Sequence, residues 1–185
     1  MAIITNLCLF HLFFLQQGGT QTFDQMMFKL IAAVTDNASK KTVVDILTEA
    51  RERGIDARKL VNGLCKRDVP EGRTPLAYAA KMNLCAMADH LLDLGASVNQ
   101  RMEDNVTALS LAATNSRWDG TEMVRLLLSK RADPSVLATA GVDVKKLNVT
   151  MQYWLGISEA SPPISDKHVK HLENTAPMHK MHELT

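Results

Sequence analysis

The chain carries the sequence Gly72-Arg-Thr-Pro-Leu-Ala-Tyr-Ala-Ala80 and nearly repeats it at Asn105-Val-Thr-Ala-Leu-Ser-Leu-Ala-Ala113. The threonines of these two blocks, Thr74 and Thr107, are 33 positions apart. An apolar helical stretch and then a short loop follow each block, at 88–94 and 95–99 and again at 123–128 and 131–134. Self-similarity at a fixed period of this size is typical of stacked repeats, so we expect each block to begin one structural unit.

Each block predicts the first helix of a two-helix unit. The Thr74 hydroxyl can cap a helix N-terminus, and Pro75 then occupies the first helical position, where its missing N–H is not needed. Ala79 and Ala80 lie on the apolar side of this short helix and are small enough for close packing. Gly95 ends the second helix because glycine tolerates the left-handed conformation found just after a helix.

This pattern resembles the ankyrin repeat, whose family pattern runs G-x-T-P-L-H-x-A-A, then a helix with L-L, then G-A-D-V-N. The resemblance covers two clear repeats, at 69–101 and 102–136. Ala77 and Ser110 stand where the family carries histidines that bond between neighbouring turns, and Asn105 replaces the family glycine. Asparagine adopts a positive φ almost as readily as glycine. The resemblance implies an all-α fold, a short solenoid of helical hairpins with degenerate capping helices.

Degenerate units flank the two clear repeats. Four weaker helices are predicted beside them, at 23–34, 43–50, 134–141 and 147–155. Residues 57–66 add a further helical turn, and two extra residues near 115–120 predict a local loop inside the second clear repeat. At least about three stacked units are normally needed to bury a core. We therefore expect one repeat domain over 23–155.

The two ends of the chain differ in composition from the predicted repeat domain. Residues 1–22 contain an apolar run at 7–15, which is shorter than the roughly 20 residues of a membrane helix and lacks the basic flank of a signal peptide. A cleaved signal, a packed N-terminal helix and an added extension all stay open for this segment. Residues 156–185 form a polar tail, in which Pro162-Pro163 forces an extended connection.

Composition disfavours several classes of function. The formal net charge of +1 offers no clustered positive charge for nucleic acid, and aromatic residues make up only 5% of the chain. Three cysteines would leave one unpaired in any disulfide framework, which favours the reducing cytoplasm. Three Asn-x-Ser/Thr sequons, at Asn37, Asn105 and Asn148, would matter only if the chain entered the secretory route.

No residue pattern indicates catalysis or a cofactor. The phosphate-binding, dinucleotide-binding, nucleophile-elbow and zinc-protease motifs are all absent from the sequence. Two H-x-x-H pairs occur in the tail, at His168, His171, His179 and His182. Pro177 separates these pairs and no cysteine lies near them, so we expect no metal site. Cys65 and Cys85 have no histidine or acidic partner at a catalytic spacing, so we predict that the protein is not an enzyme.

The resemblance implies a partner protein bound on a concave surface of turn tips and first helices. Nine residues map to that surface: Glu71, Arg73, Lys81, Met82, Glu103, Asp104, Val106, Thr114 and Asn115. Met82 and Met102 fall where ankyrin arrays leave side chains exposed. Trp118, in the inserted loop, is expected to fold back over the gap between the helices, and its alternative role is that of an interface anchor.

We therefore predict a monomeric, cytoplasmic, non-catalytic interaction module that serves as an adaptor or recruitment scaffold. It is expected to bind a protein, with no nucleic acid, cofactor or stable membrane span. Two alternatives stay open. The chain could be a regulatory or targeting segment of a larger enzyme, truncated after the repeats, or a secreted ankyrin effector whose leader lies in residues 1–22.

Overall fold

The computed structural model describes residues 23–65, 72–115 and 117–157, without the side chain of Asp104. The predicted segment 1–22, the tail from 158 onward with its histidines, and Glu71 lie outside these described residues. Within the described ranges the chain forms nine α-helices and no strand, which confirms the all-α prediction. The helices are α1 (Phe23–Thr35), α2 (Lys40–Glu52), α3 (Ala57–Val61), α4 (Pro75–Lys81), α5 (Cys85–Asp93), α6 (Ala108–Ala113), α7 (Thr121–Ser129), α8 (Val136–Thr139) and α9 (Val149–Trp154).

The helices pack first in pairs and then in two stacked rows. Helix α1 packs on α2, α4 on α5, and α6 on α7, so each pair is one hairpin unit. The first helices of successive pairs pack on one another, α1 on α4 and α4 on α6, while the second helices α5 and α7 pack beside them. At the carboxyl end, α8 packs on α6 and α9 packs on α7. The arrangement is a stack of helical hairpins closed by short helices.

The predicted caps are present at the start of both first helices. The Thr74 Oγ1 atom accepts a hydrogen bond of 3.1 Å from the backbone N–H of Ala77, and Pro75 occupies the first turn of α4. Thr107 Oγ1 accepts from the Ser110 N–H at 3.3 Å, and Ser110 Oγ accepts in return from the Thr107 N–H at 2.9 Å. This reciprocal capping box satisfies two N–H groups that a helix start otherwise leaves unpaired.

The apolar faces of the hairpins meet in one continuous core. It runs from α1 through every pair to α9. Its largest fully buried side chains include Met27, Leu76, Leu91, Leu109 and Leu127, one from each of five helices. Burying a side chain of this size stabilises the fold by roughly 1.5–3 kcal/mol. No single hairpin can bury both of its apolar flanks, so each unit depends on its neighbours.

The loops that follow the second helices require a left-handed residue. Gly95 adopts φ +94° directly after α5, as predicted, and Arg131 adopts φ +66° at the equivalent place after α7. Asn105 adopts φ +57° in the turn before α6, which confirms that it substitutes for the family glycine. Arginine is the least suited of the three residues to this backbone region, because its Cβ crowds the neighbouring carbonyl.

Two asparagines join neighbouring units through their side chains. Asn62 Nδ2 donates to Gly95 O at 3.0 Å, and Asn62 Oδ1 accepts from the Ser97 N–H at 2.7 Å. Asn99 forms the same pair of bonds one unit later, with Arg131 O at 3.1 Å and the Asp133 N–H at 2.8 Å. Each asparagine therefore spans the gap between units and fixes the position of the next loop relative to its own unit.

Candidate protein-interaction surface

The predicted binding residues fall into two groups at opposite ends of the first helices. One is the turn-tip group, which precedes α4 and α6 and contains Arg73, Glu103 and Val106. Arg73 is held by backbone bonds to Cys65, with the Cys65 N–H donating to Arg73 O at 2.8 Å and the Arg73 N–H to Cys65 O at 2.9 Å. Glu103 begins a short 3-10 turn and is exposed. Asp104 follows in that turn.

The other is the loop-edge group, which follows the first helices and contains Lys81, Met82, Thr114 and Asn115. Lys81 and Met82 are exposed, and Met82 leaves 38% of its area open to solvent. The Thr114 hydroxyl donates to Ser110 O at 2.7 Å. Within this group, Lys81 and Met82 are therefore the side chains best placed to meet a partner.

Asn115 links two neighbouring units. Its Nδ2 atom donates to Lys81 O at 2.7 Å, and its Oδ1 atom accepts from the Arg117 N–H at 3.1 Å. Asn115 therefore positions the inserted loop against the end of α4, and its amide is committed to that structural task.

Helix α4 separates the two groups. Every side chain from Pro75 to Ala80 is buried, and Tyr78 is only 4% exposed. Seven residues at about 1.5 Å each make this helix roughly 10 Å long, so the groups lie about one short helix apart. A partner that engages both must cross the buried helix, whereas a smaller ligand can engage one group alone.

Comparison with known proteins decides the family. A family model described as "Ankyrin repeats (3 copies)" matches residues 30–138, which is more than half of the chain. The chain belongs to the ankyrin-repeat family. Ankyrin repeats indicate a protein–protein interaction module.

One relative extends the comparison. A protein of Oryza sativa subsp. japonica, named "Zinc finger CCCH domain-containing protein 50", is 31% identical to this chain over 118 residues. The aligned part covers 60% of this chain and 18% of that protein. This chain therefore matches less than a fifth of the relative's length.

Ion pairs also join neighbouring helices of the ankyrin stack. Lys130 Nζ lies 2.7 Å from Asp89 Oδ1 and 3.0 Å from Asp93 Oδ1, so the end of α7 is bonded to α5. The hydrogen bond from Lys130 lowers the pKa of Asp93. In the first unit, Lys29 bonds Glu49 at 2.9 Å and lowers the pKa of that carboxyl group.

The described thiols are poorly suited to nucleophilic chemistry. Burial raises the pKa of the half-buried Cys85 thiol, with a further contribution from the nearby Glu122 carboxylate. A raised pKa keeps sulfur protonated, and the thiolate is the reactive form. Among the described residues there is no group of three or more His, Cys, Asp or Glu side chains placed to hold a metal ion. The described part of the chain also has no helix that is both long and apolar enough to span a bilayer.

Two expectations about exposed apolar residues are wrong. Met102 was expected on the exposed surface, but it is only 8% exposed, and its N–H donates to Val106 O at 2.8 Å across the turn. Trp118 was expected to fold back over the helices, but 53% of its area is open to solvent. Met102 is fixed by a bond within its own turn, whereas the bonds that fix the Trp118 loop come from other connections, which the local sequence does not display.

Proposed function

We propose that this ankyrin protein is a non-catalytic adaptor that captures a partner protein through its turn-tip and loop-edge groups. The observation that carries the proposal is the exposure of Glu103, Lys81 and Met82 around helix α4, whose residues from Pro75 to Ala80 are all buried. Residues that do not support the core are free to serve recognition. The asparagine bridges and ion pairs hold these side chains at fixed separations, which lowers the ordering cost of binding.

A triple substitution tests this proposal. Replacing Arg73, Lys81 and Glu103 by alanine is expected to weaken partner capture while the thermal midpoint changes little, because Lys81 and Glu103 are exposed and alanine at the half-buried position 73 keeps the backbone bonds to Cys65. Capture from a cell lysate followed by mass spectrometry identifies the partner and measures its recovery. The matched control carries three alanine substitutions at exposed charged residues of α2, Lys41, Asp45 and Arg51. Equal recovery by both triple variants would contradict the proposal.

Several observations support a cytoplasmic location, which belongs to the same proposal. Cys65 is buried and Cys85 is half-buried, and neither forms a disulfide. Asn148 is a potential glycosylation site, yet its amide caps α9 by accepting from the Met151 N–H at 2.7 Å. A glycan would be bonded to Nδ2, which donates to Thr121 Oγ1 at 3.0 Å, and would disturb that contact. Sequencing the mature N-terminus tests the location, since cleavage within residues 1–22 would indicate secretion instead.

A second candidate is that these repeats recruit or target a longer protein. The similarity to the rice zinc finger protein favours it, because the matched region is 18% of that chain and so accompanies other segments there. Sequencing the full transcript tests this candidate. A reading frame that continues into another domain would support it, and a stop codon directly after Thr185 would exclude it.

A further inference from the structure

The connections between first and second helices show a recurring chemical pattern. Each of the last three connections carries or borders at least one exposed cation and one exposed apolar side chain, and the third has a second exposed cation, Lys146. The pairs are Lys81 with Met82, Arg117 with Trp118, and Lys145 with Val149. Trp118 and Val149 leave 53% and 50% of their areas open to solvent. We call these six residues the connection stripe.

Hydrogen bonds between units bring the first two connections together. Asn115 Nδ2 donates to Lys81 O at 2.7 Å, and Asn83 Nδ2 donates to Asp119 O at 3.3 Å. These two bonds lie on either side of Trp118 in the sequence. Met82 and Trp118 each lie beside a bonded residue, so the two connections that carry these exposed side chains are neighbours in the stack.

The third connection is tied to the second in the same way. Asn148 Nδ2 donates to Thr121 Oγ1 at 3.0 Å and approaches Asp119 Oδ1 at 3.4 Å. Val149 follows Asn148 directly. Since packed helices lie about 8–10 Å apart, the three apolar side chains extend over about 20 Å.

The loop that carries Trp118 is held rigidly. Gly120 is buried, and a Cβ atom there would lie 2.2 Å from Ala112 O, so the backbone passes directly against α6. The Asp119 carboxylate accepts from both the N–H and the hydroxyl of Thr121, at 3.1 and 2.6 Å. The backbone that directly follows Trp118 is therefore fixed before a partner arrives. A side chain carried by such a backbone retains more of its contact energy on binding.

The connections carry more positive than negative charge. Their exposed cations are Lys81, Arg117, Lys145 and Lys146, against two exposed carboxylates, Asp119 and Asp143. Asp119 bonds Thr121 and Asn148, and Asp143 accepts from the Lys145 N–H at 3.2 Å and pairs with Lys146 at 3.5 Å. The stripe therefore presents apolar area bordered by positive charge, which is complementary to an acidic segment with large apolar side chains.

We propose that the connection stripe binds an acidic peptide segment of a partner protein, with Trp118 as its central anchor. The inference rests on the proposed adaptor function and specifies the chemistry of the partner. A stripe of about 20 Å matches some six residues of extended chain or about four turns of helix. Apolar side chains of the segment cover Met82, Trp118 and Val149, and its carboxylates meet the cations. Aromatic and arginine side chains at the centre of an interface commonly carry most of the binding energy.

A displayed library of random fourteen-residue peptides tests the proposal. Peptides retained by the wild-type protein are expected to be enriched in Asp, Glu and large apolar residues. Trp118→Ala is expected to weaken their binding at least about tenfold, and Arg117→Glu to weaken it in a salt-dependent manner. The matched control is Val44→Ala, an exposed apolar residue on α2 that is expected to have no effect. Circular dichroism checks that each variant is folded.

Several results would overturn the proposal. These are retention of no peptides, retention of basic or uncharged peptides, and equal binding by Trp118→Ala. Binding of vesicles of equal phosphatidylcholine and phosphatidylserine that depends on Trp118 would assign the stripe to a membrane instead. Capture of the native partner distinguishes failure of this inference from failure of the proposed adaptor function. If the Arg73, Lys81 and Glu103 triple variant loses partner capture but Trp118→Ala retains it, only the present inference fails.

Discussion

Replacement of Gly120 by alanine tests how closely the inserted loop is packed. Gly120 has an ordinary φ of −76°, so its requirement for glycine is steric and not conformational. The added Cβ would lie 2.2 Å from Ala112 O and 3.1 Å from Ala112 C, whereas ordinary contact begins near 3.4 Å. The obstructing atoms belong to the backbone of α6 and cannot rotate away. Overpacking of this kind costs about 1–3 kcal/mol, and we expect a value near the upper end.

The free energy of unfolding is measured by urea titration, with circular dichroism at 222 nm as the signal. A loss of about 3 kcal/mol should lower the thermal midpoint by roughly 10 °C in a protein of this size. Gly54→Ala is the matched control, because Gly54 has φ +78° and nothing lies within 4 Å of its added Cβ. Its cost is the left-handed backbone alone, about 1 kcal/mol. If Gly120→Ala cost no more than Gly54→Ala, the packed position of the inserted loop would be refuted.

Two further predictions concern local energetics. Arg131→Gly should raise the free energy of unfolding by about 1 kcal/mol. The substitution removes the strain energy of a left-handed arginine, and this gain exceeds the loss that glycine causes by increasing the entropy of the unfolded chain. A lower thermal midpoint would contradict this prediction. The hydrogen bond from Lys29 lowers the pKa of Glu49 from 4.5, so its stabilisation is present above pH 4.5 and is lost as pH falls through the lower folded value. Thermal midpoints measured across this range should therefore fall more steeply for the wild type than for Glu49→Gln, and parallel curves would count against the ion pair.

Local chemistry made much of the fold predictable. Thr74 and Thr107 predict helix starts because a hydroxyl residue directly before an apolar run is typical of a helix N-cap. Gly95 predicts a helix end because glycine tolerates the left-handed conformation found just after a helix. These signals depend on a few adjacent residues and a repeat spacing, so they are readable from a single sequence. The structure confirms each of them.

The exposed side chains were harder to predict because contacts distant in sequence fix them. Trp118 stays in solvent since its loop is tied by Asn83 and Asn115 to the preceding unit and by Asn148 to the following one. Met102 is buried by the closing of its own turn. Hydrophobic periodicity describes helices and not the course of a connection between them.

The asparagine bridges were also missed by sequence reasoning, although a signal for them exists. Asn62 and Asn99 are 37 positions apart, and each lies ahead of the loop that it bonds in the next unit. The family histidines at positions 77 and 110 are absent. Ser110 closes a capping box within its own helix, so the ties between these loops come from the asparagines.

The central claim is that neighbouring units form one cooperative stack, and Asn99→Ala tests it most directly. The substitution removes the bonds to Arg131 O and from the Asp133 N–H, both of which are exposed to water, and should cost about 1 kcal/mol of unfolding free energy. Gln100→Ala, at the adjacent half-buried position, is the control and should cost less, because Gln100 makes no side-chain bond to the described residues of the next unit. We predict that circular dichroism and the fluorescence of Trp154, measured in a Trp118→Phe background, report a single coincident transition in both variants, shifted clearly only in Asn99→Ala. Separate transitions for the two probes, or no shift in Asn99→Ala, would contradict a cooperative stack.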